Sequence, residues 1–516
     1  MQGCDGGHVT GFFEPGSARE LARFAELQAR LPGLFRSARS DPLAPRTVVI
    51  VPGLSLDPEQ LARIRGTLHY EERHLSMLCL LRMPGTRLVL LTSRPLDPAV
   101  VEYYLGLLRD VPAADARRRL VLMSPGDDTL ASLTAKILDR PPLMRRLLEE
   151  VGDPSIAYLS VFNSSPLERT LAVRLGIPLN ACDPALVGLG GKSGSRRVFR
   201  AAGIRFPDGA EGLRDARDVV EALAALKLRR PTLGRAVVKL NEGFSGEGNA
   251  VFDFAGAPSG DAPALKSWID QRLPSALRFE ARGECWEHYS GKLAEAQGIV
   301  EEWVDGAGQH SPSTQLRINP LGQIELISTH DQVLGGRSGQ TFLGSSFPAS
   351  ADYRDQIHAA GMRVAEQLRQ RGVIGCFAVD FVVASKNGAC QPHAIEINLR
   401  KGGTTFPFQM LQWLTGGRYD PDEGLFRTRS GAIRCYYASD NLQKDSYRRL
   451  APDDVIQATA ERGLHFEASS GLGATFSMLG CVAEHGKLGI TAVGGSPERS
   501  AQLYAEVVAT LDHAAR

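Results

Sequence analysis

The stretch Asp380–Arg400, DFVVASKNGACQPHAIEINLR, decides how the fold of this chain is read. Two short apolar runs flank Asn387-Gly388, a dipeptide that favours the tight turn of a β-hairpin because both residues tolerate positive φ. Folding about that turn brings Asp380 roughly opposite the Glu396 region. Glu396 and Asn398 lie two apart on an extended run, so both project from one face, with Arg400 next on that face. Asp380, Glu396 and Asn398 form a set of hard oxygen ligands, which suits magnesium better than zinc. An ordinary sheet edge with solvated acids would carry the same pattern, so the hairpin alone leaves both readings open.

Upstream, AVVKLNEGFSGEGNAVFDF (residues 236–254) runs strand, glycine-rich loop, strand, with Lys239 on the incoming strand and Gly243, Gly246 and Gly248 in the loop. Glycines let backbone amides turn inward to cradle phosphate oxygens, and a nearby lysine supplies a point charge. A P-loop or a dinucleotide fingerprint would open a helix after its glycines. Here the chain re-enters an apolar strand, which disfavours both. Ten of the 59 basic residues are lysines, so each stands out against the arginine background. Lys192, in Gly190-Gly191-Lys192-Ser193, is the second lysine beside a glycine-bearing segment of the kind that binds phosphate.

The chain has 516 residues, too many for one ordinary core, and a net charge of +1 with acids and bases mixed throughout. Neither nucleic acid nor an anionic membrane is an implied partner. Its eight cysteines, Cys4, Cys79, Cys182, Cys285, Cys376, Cys390, Cys435 and Cys481, form no CxxC pair and read as mostly buried, reduced thiols. No basic-then-apolar leader or membrane-length apolar run is evident, so a cytoplasmic protein is expected.

Buried-strand candidates at Thr47–Val51, Arg87–Thr92, Arg119–Met123 and Ile156–Val161 alternate with helical patterns, as in a parallel sheet with helices on its faces. A single surface helix is expected over Ser17–Ala38. The phrase HYEERH, His69–His74, reads foremost as a solvated helical face. Helices are expected at Arg196–Ala202, Asp215–Leu228 and Tyr353–Arg371, and hairpins at 236–254 and about Leu321-Gly322. Beyond Arg434 come a strand, a helix at Pro452–Arg462, two glycine-punctuated strands and a last helix, Pro497–Ala514.

Taken in order, Lys192, Lys239 with its glycine loop, Glu301-Glu302-Trp303-Val304, Asp380, and Glu396-Ile397-Asn398-Leu399-Arg400 resemble the ATP-grasp superfamily. The segment His69–Thr92, the phrase STHDQVLGG (Ser328–Gly336) and GKLGITAVG (Gly486–Gly494) look like the family of PGM1-related peptide ligases. The resemblance implies an α/β and α+β multidomain fold. Residues 1–45 would form a helical extension, 46–185 a parallel-sheet pre-ATP-grasp domain, and 186–430 an ATP-grasp core of two α+β subdomains, split into lid and hinge (186–305) and metal and substrate (306–430). Residues 431–516 would be a small C-terminal α/β domain of PGM1 type.

The resemblance further assigns Lys192 and Lys239 to ATP, and Gly243–Gly248, with Ser245 and Gly246, to a lid over its triphosphate. Glu301, Glu302, Trp303 and Val304 would be the adenine-binding hinge. Asp380, Glu396 and Asn398 would hold two magnesium ions, and Arg400 with the Gly402 and Gly403 amides would face the reacting carbonyl. Gly308 stands where many relatives keep a ribose-binding acid, and Phe406 where a histidine is expected. Arg317, and His330-Asp331-Gln332 with the Gly335–Gly339 loop, are expected to contact a carboxylate or amine near the γ-phosphate; a hydrogen-bonded strand end is the other reading of His330 and Asp331. The implied activity is ATP-dependent carboxylate–amine ligation on small molecules, an amino acid or peptide, through an acyl phosphate with release of ADP and phosphate. A catalytically silent ATP-binding scaffold is the alternative, and a homo-oligomer is compatible with either.

Overall fold

The structure, a computed structural model, describes residues 13–55, 58–108, 110–243, 248–281, 283–304, 307–335, 341–386 and 389–516. The Asn387-Gly388 turn, Ser245, Gly246 and the loop after Gly335 lie outside the described residues.

Four strands, β1 (Arg46–Val51), β2 (Thr86–Leu91), β3 (Leu120–Met123) and β4 (Ala157–Val161), pair in parallel in the order β3-β2-β1-β4. β1 reads as an unbroken apolar run because both its faces are covered. Val48 and Ile50 face a core shared with C-terminal residues such as Tyr447 and Leu488, while Val49 and Val51 face another built with Phe24, Leu27 and Leu171. The expected N-terminal helix is two, Ala18–Gln28 and Leu31–Ser40. Pro32 explains the break: lacking an N–H, it fits the first turn of a second helix and not the interior of one.

The second sheet is antiparallel, with β5 (Gly209–Leu213), β6 (Arg235–Leu240), β7 (Asn249–Asp253), β8 (Arg278–Phe279) and β9 (Gly298–Glu302) in the order β5-β9-β6-β7-β8. The helices Ala216–Arg229 and Ala262–Ala276 contribute Leu223, Leu226, Leu265 and Ile269 to its core. The glycine-rich loop joins β6 to β7, so the strand–loop–strand reading of 236–254 holds.

The third sheet contains β10 (Ala307–His310), β11 (Pro312–Ile318), β12 (Ile324–Gly335), β13 (Thr341–Phe347), β14 (Gly375–Lys386) and β15 (Ala389–Asn398). A small ribbon, β16 (Arg418–Asp420) with β17 (Leu425–Arg427), follows. The C-terminal strands β18 (Cys435–Gln443), β19 (Gly473–Ser477) and β20 (Lys487–Gly494) then extend the third sheet through β13, in the order β10-β14-β11-β12-β13-β18-β20-β19, with β15 on β14. The last helix, Pro497–Ala514, packs Leu503, Val507 and Leu511 into the core that also receives Val48 and Ile50. The C-terminal region is thus welded both to the sheet that carries the β14–β15 hairpin and to the parallel sheet. No helix among the described residues is long and apolar enough to cross a membrane. The seven cysteines among the described residues are free thiols, four of them buried.

Candidate active site

The hairpin β14–β15 supplies the acids. From Lys386↔Ala389 back to Phe381↔Ala394 the two strands pair regularly, and a bulge then shifts the register so that Asp380 sits opposite Glu396 and Ala378 opposite Asn398. Ile395 is the extra residue. Odd-numbered positions of β14, Phe377, Val379 and Phe381, enter the core beneath, together with Ile397 of β15 and Leu399 just beyond its end. Asp380, Glu396, Asn398 and Arg400 therefore share the upper face, where they line a cavity of about 880 Å³.

The acids are held in a chain of hydrogen bonds. Gln332 Nε2 donates to Asp380 Oδ1 at 3.1 Å, and Asn398 Nδ2 donates to Asp380 Oδ2 at 2.9 Å. Arg400 Nη2 donates to Asn398 Oδ1 at 2.8 Å, orienting the amide. Burial, and then the charge of Glu396, push the Asp380 carboxyl up to about 7. Burial also acts to raise Glu396, but Lys192 Nζ at 2.7 Å outweighs it and holds that carboxyl below its usual range. Two carboxylates facing one another on a cavity wall, one of them reluctant to ionise, fit a site that takes a cation.

The cations come from the second sheet and the helix Lys192–Ala202. This helix opens on Gly191-Lys192, and its start is tied to the end of β6: Ser193 N and Oγ donate to Asn241 Oδ1 at 3.0 and 2.7 Å. Ser195 Oγ in turn accepts from Ile397 N at 3.0 Å, so one helical turn bridges the glycine loop and the acid hairpin. Lys239 is 7% exposed and bonds Glu301 Oε2 at 2.7 Å; Arg196 bonds Glu301 Oε1 at 2.8 Å. Glu301 thus neutralises two buried cations through its side chain.

Lys192, Lys239, Gly243, Gly248, Glu301, Glu302, Trp303, Val304, Asp380, Glu396, Asn398, Arg400, Gly402 and Gly403 all border the one cavity. Gly402 N–H donates to Thr405 Oγ1 at 2.9 Å, whereas Gly403 N–H makes no hydrogen bond among the described residues. A side chain at Gly403 would meet the Phe342 ring at 3.0 Å, so glycine keeps this amide approachable from the cavity. Asp331 also lines the cavity, but its carboxylate accepts from Tyr353 Oη at 2.6 Å and Ser350 N at 2.8 Å.

Arg317 and His330 are not brought to the cavity. Arg317 pairs with Glu325 at 2.5 Å and stacks on Phe35. His330 is fully buried, bonds the Tyr436 hydroxyl at 2.5 Å, and burial lowers its imidazole to about 3, so it is a neutral core group. Phe406, where a histidine is expected, is buried and forms an edge contact with His74 at 4.8 Å.

HYEERH is the main correction. Glu71, Glu72, Arg73 and His74 are all buried, in a 3-10 helix over Thr67–Arg82. With three residues per turn, Tyr70 and Arg73 fall in line, and both border the cavity. Glu71 accepts from Ser93 N and Oγ, and Glu72 from Gly480 N, so each acid has a partner from another element. Gln332, expected near the substrates, does line the cavity, whereas residue-by-residue reading missed Lys487, although it stands in a phrase that carries the family resemblance and the scarcity of lysine was an available signal.

The family model described as "IQCH-like, ATP-grasp" matches residues 187–259 and 264–422, and that of the "PGM1 C-terminal domain" matches 454–507. The chain is 32% identical over 464 residues to the L-propargylglycine–L-glutamate ligase of Streptantibioticus cattleyicolor, covering 88% of this chain and 91% of that enzyme. It is 22% identical over 444 residues to IQ motif-containing protein H of Danio rerio, covering 78% of this chain and 42% of that protein. The fold is similar to the ADP complex of an N5-carboxyaminoimidazole ribonucleotide synthetase, with a TM-score of 0.51, 13% identity, and coverage of 92% and 99% of the two chains. With acids, lysines and glycine loop assembled around one cavity, and a ligase relative matched along nearly its whole length, the chain belongs to the ATP-grasp superfamily, in the family of PGM1-related peptide ligases.

Proposed function

We propose that this ATP-dependent carboxylate–amine ligase joins two amino acids, or an amino acid and a peptide, in the cavity between the glycine loop and the acid hairpin. The observation that carries the reading is the convergence of Asp380, Glu396 and Asn398 with Lys192, Lys239 and Arg400 on that cavity. The name of the 32% identical relative, which joins one amino acid to another, supports amino-acid substrates.

A carboxylate does not react usefully with an amine at neutral pH because oxide is too poor a leaving group. Phosphoryl transfer from ATP to the carboxylate oxygen forms a carboxyl–phosphate bond and releases ADP; amine attack at the carbonyl then expels phosphate. Asp380, Glu396 and Asn398 would hold two magnesium ions, which when bound offset phosphate charge and orient the transferring group. Lys192 and Lys239 hold positive charge on the phosphate side, where Gly243 and Gly248 also border the cavity. Glu302, Trp303 and Val304, at the end of β9, take the adenine. The tetrahedral oxyanion formed during amine attack requires fixed donors, and Arg400 with the Gly403 amide meets that need. Gly402 would join them only on leaving Thr405.

The test is amine-dependent ADP release. Substrate carboxylate labelled with oxygen-18 should pass label into phosphate. Label in AMP would overturn the mechanism, and ATP binding without ADP release for any carboxylate–amine pair would make the chain a silent scaffold.

A further inference from the structure

Two sequence phrases remain without a chemical role in ligation, HYEERH and GKLGITAVG, and they meet at one end of the cavity. Lys487, the first residue of β20, is 2% exposed and lines the cavity. It donates to Tyr70 Oη at 2.9 Å and to the Arg65 carbonyl at 3.4 Å. No carboxylate lies within ion-pair distance of it among the described residues. A buried ammonium satisfied only by neutral oxygens is held in a costly state, and burial accordingly lowers its pKa.

The surroundings are cationic. Arg63, Arg65 and Arg73 border the same end, against one lining acid, Asp440, which is taken up by Arg73 at 2.9 Å. Arg65 has its own partner, Asp445, at 2.8 Å. The other end of the cavity carries the acids Glu301, Glu302, Asp331, Asp380 and Glu396, interleaved with Lys192, Lys239 and Arg400. The two ends are close: Arg73 and Arg400 sit over the same Phe162 ring, 5.2 and 5.6 Å from its centroid. Arg73 and Lys487 likewise share the Tyr70 ring, at 4.4 and 4.9 Å. Ring contacts thus link the proposed reacting centre, through Phe162, Arg73 and Tyr70, to the buried ammonium.

We infer that Lys487, supported by Arg73 and Tyr70, forms an anion subsite that binds a free carboxylate of a substrate, one distinct from the carboxylate that is phosphorylated. Its position rests on the ligase reading, since Arg400 marks where the reacting carboxyl sits. The carboxylate completes the charge of Lys487 and fixes the register of the substrate past Tyr70 and Phe162. It belongs either to an acyl donor with two carboxylates or to the α-carboxylate of the amine substrate.

The probes are glutarate and its monomethyl ester, titrated calorimetrically into the full chain with magnesium and a non-hydrolysable ATP analogue. Glutarate should bind more tightly than the ester. Lys487→Met should weaken glutarate by about tenfold or more, the size expected when a charge-assisted hydrogen bond is removed, and leave the ester and the nucleotide unchanged. Lys487→Arg should restore affinity to within a few-fold. Equal binding of diacid and ester by the wild type overturns the subsite without any variant, as does equal glutarate affinity in wild type and Lys487→Met. ADP release then separates the sources. Loss of turnover when the amine substrate is offered as its methyl ester assigns the carboxylate to the amine partner, and loss only on esterifying the donor's second carboxyl assigns it to the acyl donor. Failure of every pair to release ADP removes the ligase reading, while calorimetry still decides the subsite.

Discussion

Replacing Glu301 by glutamine tests whether Lys239 is a phosphate contact. The side chain of Glu301 is 2% exposed and that of Lys239 8%, so solvent screens their 2.7 Å pair very little. Breaking a buried ion pair by removing one charge typically costs ~3–5 kcal/mol. Arg196 keeps Glu211 at 3.0 Å and the Pro207 carbonyl at 2.9 Å, so the loss falls mainly on Lys239. The lower half of that range applies, about 3 kcal/mol. Urea unfolding followed by tryptophan fluorescence reads this directly, because Trp268 and Trp286 pack against the core of the same sheet. A nucleotide at about 100 times its Kd stabilises any binding protein by about 2.7 kcal/mol. In Glu301→Gln a phosphate would also relieve the stranded ammonium, so nucleotide should recover more stability in the variant than in the wild type. An equal deficit with and without magnesium–ATP would refute the placement of phosphate beside Lys239.

Three further outcomes are expected. Glu396→Gln should abolish ADP release while the far-ultraviolet circular dichroism stays unchanged, since Glu396 borders the cavity and not the core; near-normal turnover would remove it from the metal site. Lys239→Ala should weaken ATP binding in calorimetry, whereas Arg400→Ala should leave ATP affinity nearly intact and lower kcat by on the order of 100-fold; equal losses of affinity would make Arg400 a nucleotide ligand. Glu71 tests the buried HYEERH segment through pH. Burial, against the bonds from Ser93, raises its carboxyl to about 7 from 4.5. The folded state therefore binds the extra proton, and this stabilisation is fully present below the unfolded value and lost as pH rises through about 7. The unfolding free energy read from urea titrations should fall between pH 5 and pH 8 by an amount on the order of 2–3 kcal/mol, and Glu71→Gln should flatten that slope; an unchanged slope would show that Glu71 does not titrate in this range.

Elements whose information is local were legible in the sequence. The parallel strands follow from apolar runs with helical spacing between them, the loop between β6 and β7 from its glycines, and the last helix, Pro497–Ala514, from a serine cap, a proline in the first turn and an apolar stripe. The candidate site was legible to the same extent. Lys192, Lys239, Glu396, Asn398 and Arg400 stand in short phrases whose spacing already puts them on shared faces, and all line the cavity.

What tertiary structure alone decided is register, burial and long-range convergence. Counted from its turn, a regular β14–β15 ladder would pair Asp380 with Ile395 and send Glu396 to the opposite face; the bulge at Ile395 takes up one residue and turns Glu396, Asn398 and Arg400 toward Asp380. HYEERH has the composition of a solvated helix, yet groups up to 417 residues away in the chain, Lys487 for Tyr70 and Gly480 for Glu72, bond to it and bury it. Arg317 and His330 illustrate the converse, polar side chains in motif-rich segments that their strands direct to an ion pair and to a core. A sequence encodes side-chain periodicity within an element, whereas the meeting of Lys487 with Tyr70, or of Asp380 with Glu396, depends on how elements far apart in the chain pack, which the spacing of residues within any one of them does not specify.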